Sequence, residues 1–188
     1  FLERLVELGK TDIKLWYNIN MTLMNEKVIE LWRKFDHVKI SCSIDDLGDR
    51  NHYIRYPTKW NDVEKNFLRL KKENFEMDIT QTVSWMNYST LGDFYNFFTK
   101  KHGIYVYHNM VYDPAILSPA VLPKTMRDEI HKEFIKVFDT KKAEDLISMF
   151  NTPDNESQWK NAIEYTNKLD EIREQHIGDY LPEFKEMM

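Results

Sequence analysis

The chain has 188 residues, of which 42% are hydrophobic and 30% charged, and its formal net charge is −5. This length allows one globular domain with a substantial core, and the negative charge disfavours a nucleic-acid partner. No apolar run approaches the ~20 residues of a membrane span, and the first residues do not show the pattern of an export signal. Together with the single cysteine, Cys42, these features predict a cytoplasmic protein with no internal disulfide and no thiolate cluster of its own.

Strand and helix patterns alternate along the first 138 residues. Alternating apolar positions predict strands, and apolar residues three and four positions apart predict helices. In chain order, the predicted elements are helix 1–9, strand 12–20, helix 25–35, strand 37–45, helix 59–74, strand 75–87, helix 90–103, strand 104–112 and helix 123–138. Because such alternation is typical of βαβ units, the sequence predicts an α/β fold with a parallel sheet over residues 1–138. Residues 139–188 lack strand patterns and are predicted to form a helical extension.

Polar side chains follow the predicted strands. Ser43 and Asp45 end one strand, Asn20 ends the strand before it, and Asn87 ends the strand after it. The carboxyl ends of parallel strands share one edge, where such sheets bind ligands, so these side chains are expected to lie near one another. Ser43 donates a hydrogen bond, Asp45 accepts from hydroxyls such as those of a ribose, and Arg55 offers a fork for a carboxylate. The pattern indicates a small polar ligand, neutral or zwitterionic.

Each of these residues also has a purely structural interpretation. The polar stretch after Asp45 is predicted to be a loop, which Asp45 and Asp46 could cap, and Asn20 could be a turn residue. Arg55 could pair with Asp49 or Asp45 on the surface, where an ion pair is worth ~0–1 kcal/mol. The placement of several such groups at neighbouring strand ends favours the ligand over these separate roles.

The histidines and the cysteine indicate neither a metal site nor a nucleophile. The six histidines are scattered without metal-ligand spacing, and no glycine-rich phosphate loop or G-x-S-x-G motif is present. His131 is predicted to lie on the surface of its helix. Cys42 is the strand neighbour of Ser43 and points to the opposite face, so it is predicted to be a packed core thiol.

Several segments resemble radical S-adenosylmethionine (radical SAM) enzymes, particularly those with twitch or SPASM-type extensions. The S-I-D-G element of that family, followed by an arginine and then a helix with an asparagine, is similar to Ser43–Asp46, Arg55 and Asn66. The segment "WYNINMT" is similar to the third-strand element, with Asn20 as its asparagine, and "ITQTVSWMN" resembles the fifth strand, which ends in Asn87. The segments "HNMVYDPAILSPAVLP" and "KLDEIREQHIGDYLPEF" resemble the sixth strand with its loop and a C-terminal element of twitch-type members.

The resemblance runs from about residue 12 to residue 184. It implies a partial (βα) barrel that contains strands three to six of the radical SAM core, with a helical C-terminal tail. It also implies that Ser43 and Arg55 hold the carboxylate of S-adenosylmethionine. Asp45 would then lie near the ribose, and Asn20 and Asn87 on the adenosine side. Enzymes of this family use a [4Fe–4S] cluster and an electron donor to form a 5′-deoxyadenosyl radical that modifies a substrate, which for twitch-type members is often a peptide.

The chain departs from the family pattern at positions that bear on activity. Met21 and Asp46 stand where the family has glycines, and the C-x-x-x-C-x-x-C loop that binds the cluster is missing. Because a cluster needs several thiolates, the 188-residue chain alone is predicted to be inactive and to be a C-terminal fragment of a longer enzyme. The alternative is a non-catalytic α/β binding domain that recognises a small polar ligand or a protein partner.

Overall fold

The computed structural model describes residues 1–185. The strands are β1 Leu15–Ile19, β2 Val38–Ser43, β3 Glu76–Val83 and β4 Tyr105–Met110. The α-helices are α1 Leu2–Glu7, α2 Glu26–Trp32, α3 Gly48–Ile54, α4 Trp60–Leu70, α5 Leu91–Tyr95, α6 Lys124–Val137, α7 Thr140–Met149, α8 Glu156–Arg173 and α9 Ile177–Tyr180. Helix α5 continues into a π-helical turn, Asn96–Lys101, and short 3₁₀ turns lie at Ala115–Leu117, Pro119–Val121 and Pro182–Phe184.

The four strands form one parallel sheet in the order β1-β2-β3-β4. Each strand pairs with the next one along the chain, and the order never reverses. Since parallel crossovers are right-handed, the connecting helices return on the same face of the sheet. The register places Asn18, Ser41, Asp78 and Tyr105 side by side across the other face.

The helix-covered face of the sheet carries the first hydrophobic core. Alternate strand residues point into it, because successive side chains of a strand lie on opposite faces. Helix α4 contributes an apolar stripe spaced three and four residues apart. The members of this core that are at most 4% exposed include Ile40, Cys42, Ile79, Val106, Trp32, Val63, Phe67, Leu70 and Phe98. Each large apolar side chain buried here stabilises the fold by about 1.5–3 kcal/mol.

A second core joins the tail helices to the carboxyl ends of β3 and β4. Trp85 packs edge-on against Phe184, with ring centroids 5.0 Å apart, and Tyr88 packs edge-on against Phe134 at 5.1 Å. All four rings are at most 1% exposed. The tail is therefore packed against the strand ends, and the segment that follows β2 lies between the two.

The predicted order of strands and helices and the parallel sheet are confirmed, and so is the core position of Cys42. The loop predicted after Asp45 is wrong in part, because α3 forms there. The prediction that His131 lies on the surface is also wrong: His131 is only 8% exposed, and its Nε2 lies 3.0 Å from the Tyr88 hydroxyl. Within residues 1–185, no helix is both long and apolar enough to cross a membrane.

Candidate functional site

A cleft of about 730 Å³ opens at the carboxyl ends of β1 and β2. One wall is the turn after β1, and the other is the end of α3 with the loop into α4. The lining residues are Asn20, Thr22, Leu23, Asp45, Ile54, Arg55, Tyr56, Pro57, Thr58, Lys59 and Asp62. This volume lies within the range of small-molecule sites, and the position is the one that parallel α/β sheets use for ligands.

Asp45 is the best-anchored polar residue of the cleft. Its Oδ1 accepts a hydrogen bond from the backbone nitrogen of Thr82 at 2.8 Å, and its Oδ2 accepts one from Arg55 at 2.8 Å. Its own carbonyl accepts hydrogen bonds from the side-chain amides of Gln81, at 2.8 Å, and Asn87, at 2.7 Å. Asp45 is only 5% exposed, so these four bonds fix one position for its carboxylate.

Arg55 is the cation that faces the cleft beside this carboxylate. It follows the last residue of α3 and is the C-cap of that helix. One terminal nitrogen binds Asp45, and the other guanidinium nitrogens donate no hydrogen bond within residues 1–185. The side chain is 25% exposed. Because a guanidinium has five N–H donors in a planar fork, Arg55 retains donors for an anionic ligand while it is paired with Asp45.

The structure brings Asn20, Asp45 and Arg55 together in the cleft. Asn20 accepts hydrogen bonds from the backbone nitrogen and the hydroxyl of Thr22, at 3.2 and 2.7 Å, so it forms a turn at the rim. Ser43 ends β2 two residues before Asp45 and is not among the residues that line the cleft. It is partly buried, and its hydroxyl forms no hydrogen bond in the described part of the chain.

Asn87 lies apart from the open cleft. It is fully buried and donates to the carbonyl of Thr82 at 2.9 Å as well as to Asp45, while its oxygen accepts from the backbone nitrogen of Ser84 at 2.8 Å. Since its amide is used internally, Asn87 supports the backbone of Asp45 and does not line the ligand space.

A buried polar chain extends from Asp45 across the sheet. Gln81 donates to the Asp45 carbonyl, so its oxygen is the group that accepts from Nδ1 of His108 at 2.7 Å. This places the proton of the neutral imidazole on Nδ1. Burial lowers the pKa of His108 to about 3, with a further lowering by the charge of Lys142. His108 is therefore neutral at physiological pH and supports the strand ends.

Asp46 begins a second polar network that sequence analysis did not find. Its Oδ1 accepts from the backbone nitrogen of Leu47, and its Oδ2 accepts from Thr90 and lies 3.6 Å from Arg50. Arg50 also donates to the carbonyl of Met86 at 2.6 Å and to Glu183 at 2.8 Å. Burial raises the pKa of Asp46 to about 7, against hydrogen bonds from Thr90 and Leu47 that lower it. Arg50 and Glu183 are 133 residues apart in the sequence, so no local pattern connects them. The only signal in the sequence was that Pro182 and Glu183 belong to the C-terminal segment that resembles twitch-type members.

The tail also holds the helix that presents Arg55. The Tyr53 hydroxyl donates to Oδ1 of Asp170 at 2.7 Å, and Oδ2 of Asp170 accepts from the backbone nitrogen of Ile177 at 2.7 Å. Arg173 donates to the carbonyl of Tyr53 at 3.1 Å and lies over the ring of Tyr56. These contacts fix both sides of the short segment from Tyr53 to Tyr56, and hence the position of the guanidinium.

Tyr53→Phe is expected to lower the free energy of unfolding by about 1.5–3 kcal/mol, because a buried carboxylate oxygen of Asp170 loses its donor. Urea denaturation followed by circular dichroism measures this change. Tyr56→Phe is the matched control, since Tyr56 is 44% exposed and its hydroxyl forms no hydrogen bond among residues 1–185. Equal losses for the two variants would show that the Tyr53–Asp170 bond does not hold α3.

Comparisons with models of protein families, with curated proteins and with solved structures found no match to this chain. The residues and geometry of the cleft are therefore the basis for proposing a function.

Proposed function

We propose that this chain is the S-adenosylmethionine-binding part of a radical SAM enzyme of the twitch type. The observation that carries the proposal is the pairing of a partly free guanidinium, Arg55, with a fixed carboxylate, Asp45, in a cleft at the carboxyl ends of parallel strands. The segment with this pair, from Ser43 to Arg55, is also one of the segments that resemble the family. Ser43 and Arg55 bind the methionyl carboxylate of the ligand in this proposal.

The topology supports a partial (βα) barrel. Doubly wound sheets reverse their strand order and place helices on both faces, whereas barrels keep sequential order with helices outside. The order β1-β2-β3-β4 with its crossover helices on one face follows the barrel pattern. In the proposal, these strands are the third to sixth of a radical SAM core, and the segment after residue 138 is its helical extension.

The charges of the cleft complement a zwitterion. S-adenosylmethionine carries a carboxylate, an ammonium and a sulfonium. The cleft lining has two cations, Arg55 and Lys59, and two anions, Asp45 and Asp62. The turn amide of Asn20 lies at the rim, where it can contact the adenosine. Asn87 takes part indirectly, since it holds the Asp45 backbone.

The iron–sulfur cluster of the family does not fit the residues of this chain. Cys42 is the only cysteine, and it is fully buried on the helix-covered face of the sheet. Burial raises the pKa of its thiol to about 12, whereas a metal ligand must be a thiolate. No reaction step involving a cluster is therefore assigned to these residues. The proposal requires another polypeptide segment to supply the three thiolates, and an electron donor for the whole enzyme.

The single buried cysteine equally favours a second function, a non-catalytic α/β domain that binds a small polar ligand or a protein partner. In that case, the cleft binds a zwitterion without chemistry. The DNA upstream of the codon for Phe1 separates the two functions. A C-x-x-x-C-x-x-C motif within about 100 codons upstream supports the enzyme, because the two strand–helix units of ~30 residues each that would precede β1 fit within that interval. A start codon just before Phe1 supports the binding domain.

Arg55→Lys is expected to weaken binding of S-adenosylmethionine to the chain by roughly 10- to 150-fold, because a lysine cannot form two parallel bonds to a carboxylate. This corresponds to the ~1.5–3 kcal/mol of a hydrogen bond to a charged group. Ser43→Ala is expected to cost about 1 kcal/mol, as a neutral hydroxyl bond is weaker. Calorimetric titration, or ligand-observed NMR if binding is weak, measures both.

Arg4→Lys is the control for this pair, since Arg4 lies in α1 and its exposed guanidinium binds only Glu7 among residues 1–185. Equal affinity of the wild type and Arg55→Lys would exclude Arg55 as the carboxylate ligand and would leave it as the ion-pair partner of Asp45.

A further inference from the structure

Within residues 1–185, no helix covers the face of the sheet that carries Trp16, Tyr105 and Tyr107. Parallel sheets are normally covered on both faces and are apolar on both. Here the uncovered face is polar and aromatic, and its side chains line a groove of about 420 Å³. The residues of this groove, called the sheet groove below, are Trp16, Asn18, Lys39, Ser41, Asp78, Thr80, Tyr105, Tyr107 and Asn109. The volume is that of a small-molecule site.

The floor of the sheet groove offers neutral hydrogen-bonding groups. The side chains of Asn18, Thr80 and Asn109 form no hydrogen bond within the described residues and are open to the groove. Ser41 accepts a hydrogen bond from the indole of Trp16 at 3.0 Å. Amides and hydroxyls both donate and accept, so this floor can bind a ligand that presents several hydroxyl groups.

The charges on the floor of the sheet groove are already compensated. The Lys39 ammonium lies 3.0 Å from Glu76 and 3.0 Å from Asp78, and it also lies over the ring of Trp16. The hydrogen bonds that Lys39 donates to Asp78 and Glu76 raise its pKa, so it remains charged in this pairing. An anionic ligand such as a phosphate would meet one cation that is held between two carboxylates, and is therefore disfavoured.

The walls of the sheet groove are aromatic and exposed. Trp16 on β1 is 65% exposed, and Tyr105 and Tyr107 on β4 are 66% and 55% exposed. With neighbouring strands 4.7–4.9 Å apart, the two walls are roughly 14 Å apart. No aliphatic side chain lines the groove, which leaves no pocket for an apolar chain. Rings that flank a polar floor suit a ligand with a flat C–H face and a hydroxylated edge.

We propose that the sheet groove binds a neutral carbohydrate, with sugar rings against Trp16 or Tyr107 and hydroxyls on the amides and hydroxyls of the floor. The groove and the cleft of Arg55 lie on the same sheet, the groove on its uncovered face and the cleft at its carboxyl edge. The further step, that this carbohydrate is the substrate of the enzyme, rests on the proposed radical SAM function. The proposal that the sheet groove binds a carbohydrate does not rest on it.

The test uses maltose, cellobiose and N,N′-diacetylchitobiose as probes, titrated into the isotopically labelled chain without S-adenosylmethionine. We expect chemical-shift changes in the residues of the sheet groove with at least one disaccharide. Tyr107→Ala is expected to weaken that binding about 3- to 10-fold, the contribution of one aromatic contact. Tyr165→Ala, at a partly exposed tyrosine of helix α8, is the matched control and is expected to leave the affinity unchanged.

Three results would overturn the carbohydrate proposal. These are no binding of any disaccharide at tens of millimolar, tighter binding of the nucleosides uridine or adenosine to the sheet groove than of every disaccharide, and disaccharide shift changes confined to residues outside the sheet groove. The shift map of the wild-type chain decides the location even if Tyr107→Ala fails to fold. Because S-adenosylmethionine is omitted, failure here leaves the function of the Arg55 cleft intact, and failure at Arg55 leaves the carbohydrate site intact.

Discussion

Arg127→Met is expected to lower the free energy of unfolding by about 3–5 kcal/mol, because it removes a buried cation that holds several backbone carbonyls. Arg127 on α6 is 1% exposed. Its guanidinium donates to the carbonyls of Leu122, at 2.9 Å, and Thr152, at 2.8 Å, and also to the carbonyl of Phe150. A methionine fills most of the volume but leaves the carbonyls of Leu122 and Phe150, two residues that are each 1% exposed, without this donor. Urea denaturation gives the difference directly.

Two further substitutions show whether the hydrogen bonds or the charge carry the effect of Arg127. Arg127→Lys keeps the charge but cannot reach all the acceptors, so we expect a loss smaller than that of methionine. Lys132→Met on the same helix removes an exposed cation that, in the part of the chain the structure describes, pairs only with Glu129, and it is expected to change stability little. A loss at Arg127→Met no greater than that at Lys132 would show that the tail does not depend on this guanidinium.

Asp46→Asn is expected to raise the free energy of unfolding above that of the wild-type protein, by an amount that grows as the pH rises. The folded-state pKa of Asp46 is about 7, above its ordinary value of 3.8, because burial penalises the charged form. Between these two values the folded state binds more protons than the unfolded state, so the wild-type protein loses stability as the pH increases. The asparagine variant has no such loss. At pH 8 the difference is expected to be on the order of 4 kcal/mol in favour of asparagine, because each tenfold change in proton affinity on folding corresponds to about 1.4 kcal/mol.

The measurement for Asp46 is denaturant unfolding of both proteins at several pH values from 4 to 8. Burial also lowers the pKa of His108, which makes the protein less stable as the pH falls. Because both proteins contain His108, the difference between their free energies of unfolding isolates Asp46. Asp49→Asn, on the exposed side of α3, is the control for removal of one carboxylate. A stability difference that does not grow with pH would mean that Asp46 is charged and well paired with Arg50.

Local patterns were sufficient to predict the sheet. Ile79 and Val83 on β3 alternate with Asp78, Thr80 and Thr82, and a period of two residues is a property of the strand itself. The same alternation defines the polar face of the sheet, since the alternate residues of β3 that lie on that face are polar. The sequence therefore predicted the strands, their order and the helices between them other than α3, and it placed polar side chains at the carboxyl edge of the sheet.

Long-range contacts explain what the sequence did not predict. Helix α3 buries only Asn51 and Tyr53, too few apolar residues to produce a helical pattern, and it is held by the tail. The order of the elements was enough to predict that Ser43 and Arg55 lie near the carboxyl edge of the sheet. The hydrogen bonds of the Asn87 amide to the backbone depend on the turn after β3, which folds Asn87 against Asp45. The buried position of His131 similarly depends on which side of α6 meets Tyr88, and both sides of α6 carry polar residues.

The contacts between the tail and α3 also have a consequence for the order of folding. The strands pair with their immediate neighbours in the chain, so the sheet can assemble progressively as the chain emerges from the ribosome. The Tyr53–Asp170 and Arg50–Glu183 contacts close loops of 117 and 133 residues, and long loops carry the larger entropic cost of closure. We therefore expect the segment that presents Arg55 to reach its final conformation after the sheet, when the tail docks. A nascent chain would possess the whole sheet before it possesses a formed cleft.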